Sequence, residues 1–392
     1  MDTGCTNFVD VVISGRREAM HLAPVVHALR REHSTSVRVI TIATYEHDLN
    51  IVLSSLNIVP DFHWRIRGTN DESGVYFGEI LLLLGELWNS HRPNWLLSFG
   101  HSPFTFSCVF SAFQDSVAIA HLCDANTLLS QCRNSDHDSQ IRKSINAIAD
   151  LHFTACGRVK NTLINEGIDE NRIYAVGSPI ADSGRLISQS FLFNKDADEI
   201  FPSAIQPCWQ LIKNSKIVLF ELNNLKFQKE ISEEFLRTIE SALGDHKIVF
   251  LDSTDGVNLR LSNRVIRLSK VNHLQRCLLF SRASCAVSDS IETLDESSAF
   301  GTRGILLQSN TDRFDLVSAG WVTLASNFLE GVSKEITSIA RESETKNRTK
   351  KPFEAPGITS TGASARIAQA LTIQRDESVQ KLRTSLPLQR AQ

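Results

Sequence analysis

Hydrophobic and polar positions along the chain follow two periods that take turns. Val11-Val12-Ile13 is a short β-branched run, as suits a buried strand of a parallel sheet. After Gly15 the apolar residues fall at 19, 22, 23, 26 and 29, the spacing of a helix lying on that sheet. The same exchange of periods continues. Strands are predicted over Val37–Ala43, Asn94–Ser98, Ala118–Leu122, Leu151–Ala155 and Glu170–Val176. Helices are predicted over Glu46–Leu56, Tyr76–Arg92, Thr105–Gln114 and Gln140–Ala149. A polar loop is expected over 126–137. Alternation of this kind implies a parallel, doubly wound sheet.

A second series opens after residues 183–215, which carry Pro202 and Pro207 and read as a connection. It holds strand-like runs at Lys216–Phe220, Lys247–Asp252, Val265–Leu268, Ala286–Val287, Gly304–Leu307 and Val322–Thr323, with a helix over Lys229–Leu243. The expected plan is therefore α/β, with two Rossmann-like doubly wound domains. The first covers 1–182, the hinge 183–215 and the second domain 216–355. A final helix occupies 356–372, with its periodic part over Thr361–Leu371, and a frayed tail covers 373–392. The charged stretch Glu342–Pro352 reads as a loop. In this architecture ligands bind beyond the carboxyl ends of the strands, here in a cleft between the domains.

Composition narrows the function classes. Of 392 residues, 42% are hydrophobic and 22% charged, and the net charge is −3 with both signs dispersed, so no basic face points to nucleic acid. Eight cysteines show no C-x-x-C spacing and several sit in apolar runs, as free thiols of a reducing compartment do. The start has neither a charged nor an apolar signal region, and the densest apolar run, Ile80–Leu84, is far short of a membrane span. A cytoplasmic protein with no membrane partner is the expectation.

Candidate chemistry begins at Gly15. A strand turning there into a helix aims free backbone N–H groups and the positive end of the helix dipole at one place, and Arg16 sits on it. An anion, most simply a diphosphate, is the natural ligand. Neither G-x-G-x-x-G nor a Walker loop is present, so a plain first β-α unit with solvated arginines is the bland alternative. Gly100-His101-Ser102-Pro103 is no nucleophile elbow, because Ser102 lacks the flanking glycines. His101, His121 and Cys123 lack zinc-ligand spacing and a fourth ligand. Cys123 with a neighbouring histidine as base is a minor nucleophile hypothesis.

Four blocks resemble the non-hydrolysing UDP-N-acetylglucosamine 2-epimerases, a family with the two-domain GT-B fold. Gly15-Arg16-Arg17-Glu18-Ala19 with Leu22-Ala23-Pro24-Val25-Val26 is similar to the family's G-T-R-P-E-A…M-A-P-V-V. Ala149-Asp150-Leu151-His152-Phe153, then Glu166-Gly167 and Val176-Gly177, resembles A-D-L-H-F…E-G…T-G-N. Ser288-Asp289-Ser290 with Asp295-Glu296, Phe300-Gly301 and Asn310-Thr311-Asp312-Arg313 resembles T-D-S-G-G-x-Q-E-E-A…L-G…D-T-T-E-R. Thr361-Gly362-Ala363-Ser364-Ala365-Arg366-Ile367 is similar to the motif that opens the family's last helix. The likeness runs from about residue 9 to 372.

The resemblance implies interconversion of UDP-GlcNAc and UDP-ManNAc. A base removes the C2 proton as UDP leaves C1; UDP then re-adds to the glycal, with a proton delivered to the opposite face. It implies no metal and no cofactor, a UDP-sugar substrate, a homodimer and a place in surface-polysaccharide or secondary-metabolite synthesis. Carried over residue by residue, Arg16, Ser290 and Arg313 would hold the diphosphate. Glu296 would accept from the ribose hydroxyls, and His21 stands where the family has a basic residue. His101, Asp138 and Glu221 are the proton-handling candidates.

The chemical half departs from the family pattern. The Asp of H-G-D-T is replaced in Phe99-Gly100-His101-Ser102. Cys123 stands where H-V-E-A-G has Glu, with Asp124 one residue on. Asp138 replaces a Glu, and Glu221 replaces a His. Ile291 and Glu292 replace a glycine pair, and Val271 and Arg276 replace a uracil-side Gln and Phe. Three readings stay open. In the first, the proton-moving groups are traded for others, since an imidazole of pKa about 6.5 can shuttle protons as a carboxylate does. In the second the cleft hydrolyses the nucleotide sugar, and in the third it binds the sugar without catalysis.

Overall fold

The computed structural model describes residues 7–43, 46–66, 73–124, 136–192, 200, 206–223, 233–243, 245–252, 264–269, 271–309, 311, 313–325, 328–345 and 362–373. Two compact units emerge. The first comprises Met1–Leu49, Ile58–Pro179 and Thr359–Gln392, and the second Asn50–Asn57 with Ile180–Ile358.

Seven parallel strands form the sheet of the first unit: β1 Asn7–Ile13, β2 Thr35–Ala43, β3 Phe62–Arg65, β4 Trp95–Phe99, β5 Ala118–Leu122, β6 Leu151–Thr154 and β7 Ile173–Ala175. Their order is β3-β2-β1-β4-β5-β6-β7, so the winding reverses between β1 and β4. β1, β4 and β5 are almost wholly apolar because helices cover both faces of a parallel sheet. Among their few polar residues, which include Ser98 and His121, Asp10 is fully buried on β1. Arg38 on β2 binds its carboxylate through two nitrogens (2.8 and 2.6 Å), and the Trp88 indole N–H donates to it at 2.8 Å. Burial is the largest influence on Asp10 and raises its pKa; Arg38 and Trp88 oppose that shift.

The second unit repeats the plan with six parallel strands: β8 Ile217–Glu221, β9 Lys247–Asp252, β10 Val265–Ser269, β11 Ala283–Ser288, β12 Arg303–Leu306 and β13 Val322–Leu324. They lie in the order β10-β9-β8-β11-β12-β13, with the reversal between β8 and β11. Val218, Phe220, Phe235, Ile239, Val287 and Ile336 are at the centre of its core. Helix Ile180–Ile187 crosses the end of helix Ile291–Ala299 so closely that a Cβ on Gly184 would lie 2.1 Å from the Ala299 carbonyl oxygen.

The α/β reading with two doubly wound sheets therefore holds. Some boundaries need correction. β3 is absent from the sequence reading because Phe-His-Trp-Arg is a short, largely exposed edge strand without an apolar run. Among the described residues, the expected connection carries the end of helix Ile180–Ile187, the π-helix Ser188–Leu192 and helix Gln206–Ile212. The start of the expected loop at Glu342 is instead the last turn of helix Phe328–Thr345. The rest of that loop, most of the polar loop 126–137 and the tail beyond 373 lie outside the described residues.

Motif residues also act as clips. Arg142 pairs with Glu166 at 2.8 Å, tying helix Asp136–Ile148 to helix Gly157–Asn165 and the residue that follows it. Arg366, on helix Ala363–Ile373, donates to the Val176 carbonyl from two nitrogens (2.8 and 2.6 Å), and so fastens that helix to the first unit. Among the described residues, no helix is long and apolar enough to cross a membrane.

Candidate active site

In the first unit the chemistry gathers where β1, β4 and β5 end, beside the reversal in strand order. Gly100 follows β4 with φ of 78°, a left-handed conformation that glycine adopts without steric cost, and it turns the chain into His101. Ser102 then caps helix Pro103–Gln114, its hydroxyl accepting from the Thr105 N–H at 3.1 Å.

Asp124, two residues past β5, is buried. Its Oδ2 lies 2.5 Å from Arg17 Nη2 and 3.9 Å from His101 Nδ1. Carboxylate, guanidinium and imidazole thus meet at one place. The parity of the strand end explains this choice of residue. Successive side chains point to opposite faces, and Cys123 turns into the interior, 3.8 Å from His152 Nδ1. Burial pushes the Cys123 thiol well up, with the charge of Asp124 adding to the effect, which works against the thiolate a nucleophile needs. Asp124, one position on, brings an acidic group to the site.

Beneath this group lies His121, buried on β5 with its Nδ1 3.0 Å from Ser98 Oγ. Burial, then the neighbouring His152 and His101, push its pKa down to about 3, against the pull of Asp124. His121 is therefore a neutral support. His152 is likewise lowered to about 4, mainly by burial.

The first turn of helix Arg16–Leu29 carries three charged residues. Arg16 is exposed at its start, where the sequence places an anion site. Glu18 is half-buried, and desolvation raises its pKa; hydrogen bonds from its own backbone N–H and from Ser14 oppose the shift. One of the helix's first donors is thus already used by Glu18. His21 is buried, stacked on Phe99 with ring centroids 4.0 Å apart, and its Nδ1 lies 3.0 Å from the Arg17 carbonyl. It braces the turn that presents Arg17. Asp138 lies in the first turn of helix Asp136–Ile148, and its side chain is outside the described residues.

In the second unit a corresponding group lies beyond β8 and β11. Glu221 ends β8, and its backbone carbonyl accepts from Ser288 Oγ at 2.7 Å. Its carboxylate pairs with Arg276 Nη1. Arg276 Nε also donates to Glu296 Oε2 at 3.1 Å, and its guanidinium lies over the Phe280 ring, 4.8 Å from the centroid. One buried arginine thereby joins Glu221 to Glu296. Ser290 caps helix Ile291–Ala299 without a side-chain capping bond, and its N–H donates to Ser288 Oγ at 3.0 Å. Glu292 in the first turn is exposed.

Arg313 is 1% exposed and held by Asp295 at 2.6 Å and Asp315 at 2.9 Å. These two carboxylates raise its pKa against the opposing effect of burial, so it is permanently charged.

The structure thus brings His101 together with Arg17 and Asp124, and Glu221 together with Arg276 and Glu296. Arg17 and Arg276 were not singled out as site residues from sequence. For Arg17 the available signal was its place one residue into the helix. Arg276 shows in the sequence only as the replacement of an aromatic residue, because its neighbours Glu221 and Glu296 lie 55 and 20 residues away.

The family profile of UDP-N-acetylglucosamine 2-epimerase matches residues 27–372. The chain is 23% identical over 334 residues to the UDP-N-acetylglucosamine 2-epimerase of Bacillus subtilis, covering 83% of this chain and 84% of that one. Its fold is shared with the UDP-GlcNAc 2-epimerase from Neisseria meningitidis, whose crystal structure is bound to UDP-GlcNAc (TM-score 0.73, 19% identity, 94% of this chain and 100% of that one). It is shared too with the Methanocaldococcus jannaschii enzyme in complex with UDP-GlcNAc and UDP (TM-score 0.68, 20% identity, 93% and 99%).

Proposed function

The chain belongs to the UDP-N-acetylglucosamine 2-epimerase family, and from that premise we propose that it interconverts UDP-GlcNAc and UDP-ManNAc. The observation that carries this reading is the meeting of Asp124, His101 and Arg17 at the strand ends. The position matching the family's acid holds Cys123, yet the fold still supplies a carboxylate there from the next residue.

The chemistry balances without an outside reactant. A base takes the C2 proton, the C2–H electrons form the C1=C2 bond, and the C1–O bond breaks to release UDP as an anion. In the return step a UDP oxygen adds to C1, and C2 receives a proton on the opposite face. A proton carrier and a stabilised diphosphate are what the protein must provide. In this proposal His101 and Asp124 share the proton-carrying role with Asp138. Arg17 holds Asp124 in position. Glu221, held by Arg276, is the proton-handling candidate of the second unit.

Arg16 and Ser290 are the proposed diphosphate contacts, and Glu296 the ribose acceptor. Arg313 fits an indirect role, because its pairing with Asp295 anchors the neighbour of Glu296. His21 acts through its hold on Arg17. The six described cysteines are free thiols, which supports a cytoplasmic location. A homodimer belongs to the same proposal and is read by sedimentation.

Turnover tests the function directly. Incubation with UDP-GlcNAc and separation of the nucleotide sugars should yield UDP-ManNAc, approached from either side. Accumulation of UDP with free sugar, or unchanged substrate beside saturable UDP binding, would overturn it.

A further inference from the structure

A group of side chains next to Arg276 has no part in the proposed epimerisation beyond Glu296. His273 and Cys277 lie one turn apart on helix His273–Arg282, which places both on one face. That face meets helix Ile291–Ala299 at Glu296. All three are buried, with 6%, 0% and 4% exposure. Cys277 Sγ lies 3.5 Å from His273 Nε2 and 3.8 Å from Nδ1, and His273 Nδ1 lies 3.9 Å from Glu296 Oε1. One ligand atom from each residue fits within 4.8 Å of the other two.

We propose that His273, Cys277 and Glu296 supply three protein ligands to a transition-metal dication, Zn²⁺ first, with a water as the fourth ligand. Tetrahedral zinc with N and S ligands at its usual bond lengths separates neighbouring ligand atoms by about 3.5 Å. Taken through Nδ1, the thiol and carboxylate lie 3.8 and 3.9 Å from the imidazole, a few tenths of an ångström beyond that value, and all three ligand atoms fall within 4.8 Å of one another, so metal would draw them slightly inward. The 3.9 Å from imidazole to carboxylate is longer than a hydrogen bond. An imidazole, a thiolate and a carboxylate make a mixed N, S, O set that favours zinc over magnesium or calcium. The hold of Arg276 on Glu296 Oε2 supplies what a metal-bound carboxylate needs behind it, since it fixes that oxygen and leaves Oε1 on the His273 side. Helical spacing sets the His–Cys pair, and the Asn272 capping box holds the start of their helix, so two of the three ligands are ordered before metal arrives. Glu296 is common to this site and to the proposed ribose contact. Metal binding is therefore tested without nucleotide, and its failure leaves the epimerase reading untouched.

The test uses the reduced full chain, freed of metal by a chelator and titrated with Co²⁺ and Zn²⁺. One equivalent of Co²⁺ should bind, with a thiolate-to-cobalt charge-transfer band that Zn²⁺ then abolishes. Cys277→Ser should lose the band. His273→Gln, which keeps the thiol, should weaken Zn²⁺ by about tenfold or more, at least the loss typical of a mere supporting residue. Cys285→Ser, on β11 outside the cluster, should change neither. Absence of a thiolate band in the unmodified chain, or a band that survives Cys277→Ser, would overturn the proposal.

Discussion

Arg17 Nη2 lies 2.5 Å from Asp124 Oδ2, joining the first turn of the first helix to the end of β5. Asp124→Asn keeps the shape of the side chain and removes its charge. Turnover should fall by at least about 100-fold, the usual weight of a positioned acid–base group. The Arg17 side chain is 34% exposed, so the lost ion pair should lower stability by only about 1 kcal/mol or less. Cys123→Ala, one residue away but turned inward, should leave turnover within about twofold, because its protonated thiol takes no part. Steady-state kinetics on the two variants decide between the positions.

Glu296→Ala and Asp138→Asn should split binding from chemistry. The first should weaken UDP by about tenfold, equivalent to a lost charge-assisted hydrogen-bond contact. The second should leave UDP affinity within about twofold while turnover is lost. Calorimetric titration with UDP beside the kinetic assay gives both numbers, and full turnover by Asp138→Asn would remove it from the proton-handling set.

Arg276 stands between two carboxylates, so its removal should cost more than loss of contact area. Arg276→Ala leaves Glu221 and Glu296 without the cation that joins them, and unfolding in urea should show a loss of about 3–5 kcal/mol. Adding Glu221→Gln to that variant should recover part of the loss. No recovery would mean that packing over Phe280 is what the arginine supplies.

His121 sets a pH dependence whose sign follows from its lowered pKa. The folded chain holds it neutral down to about pH 3, whereas the unfolded chain protonates it near pH 6.5. Its contribution is therefore whole above about pH 6.5 and fades as pH falls towards 3. Within that window the unfolded state binds the extra proton, so stability falls by up to about 1.4 kcal/mol per pH unit for this group. His121→Asn should flatten the slope of unfolding free energy against pH there. An unchanged slope would show that His121 carries its proton in the folded chain.

The fold was largely legible because buried parallel strands give continuous apolar runs. β1, β4, β5 and β8 declare themselves in that way, and the helices between them follow from their spacing. β3 was not, since an edge strand with exposed side chains carries no such run. Within the site, Arg16, Ser290 and Glu296 could be marked from motif positions. The Asp124–Arg17 pair could not, because one residue's difference at a strand end changes which face a side chain takes. Arg276 was visible only as the loss of an aromatic residue. Its role depends on three elements packing together, and spacing along the chain holds no record of that.

The most direct measurement follows the C2 proton of UDP-GlcNAc by NMR in deuterium oxide with the purified chain. The account predicts that the C2 signal disappears as deuterium enters, in step with the growth of the manno isomer, and that Asp124→Asn suppresses both. A C2 proton retained at full intensity after many nominal turnovers would contradict it.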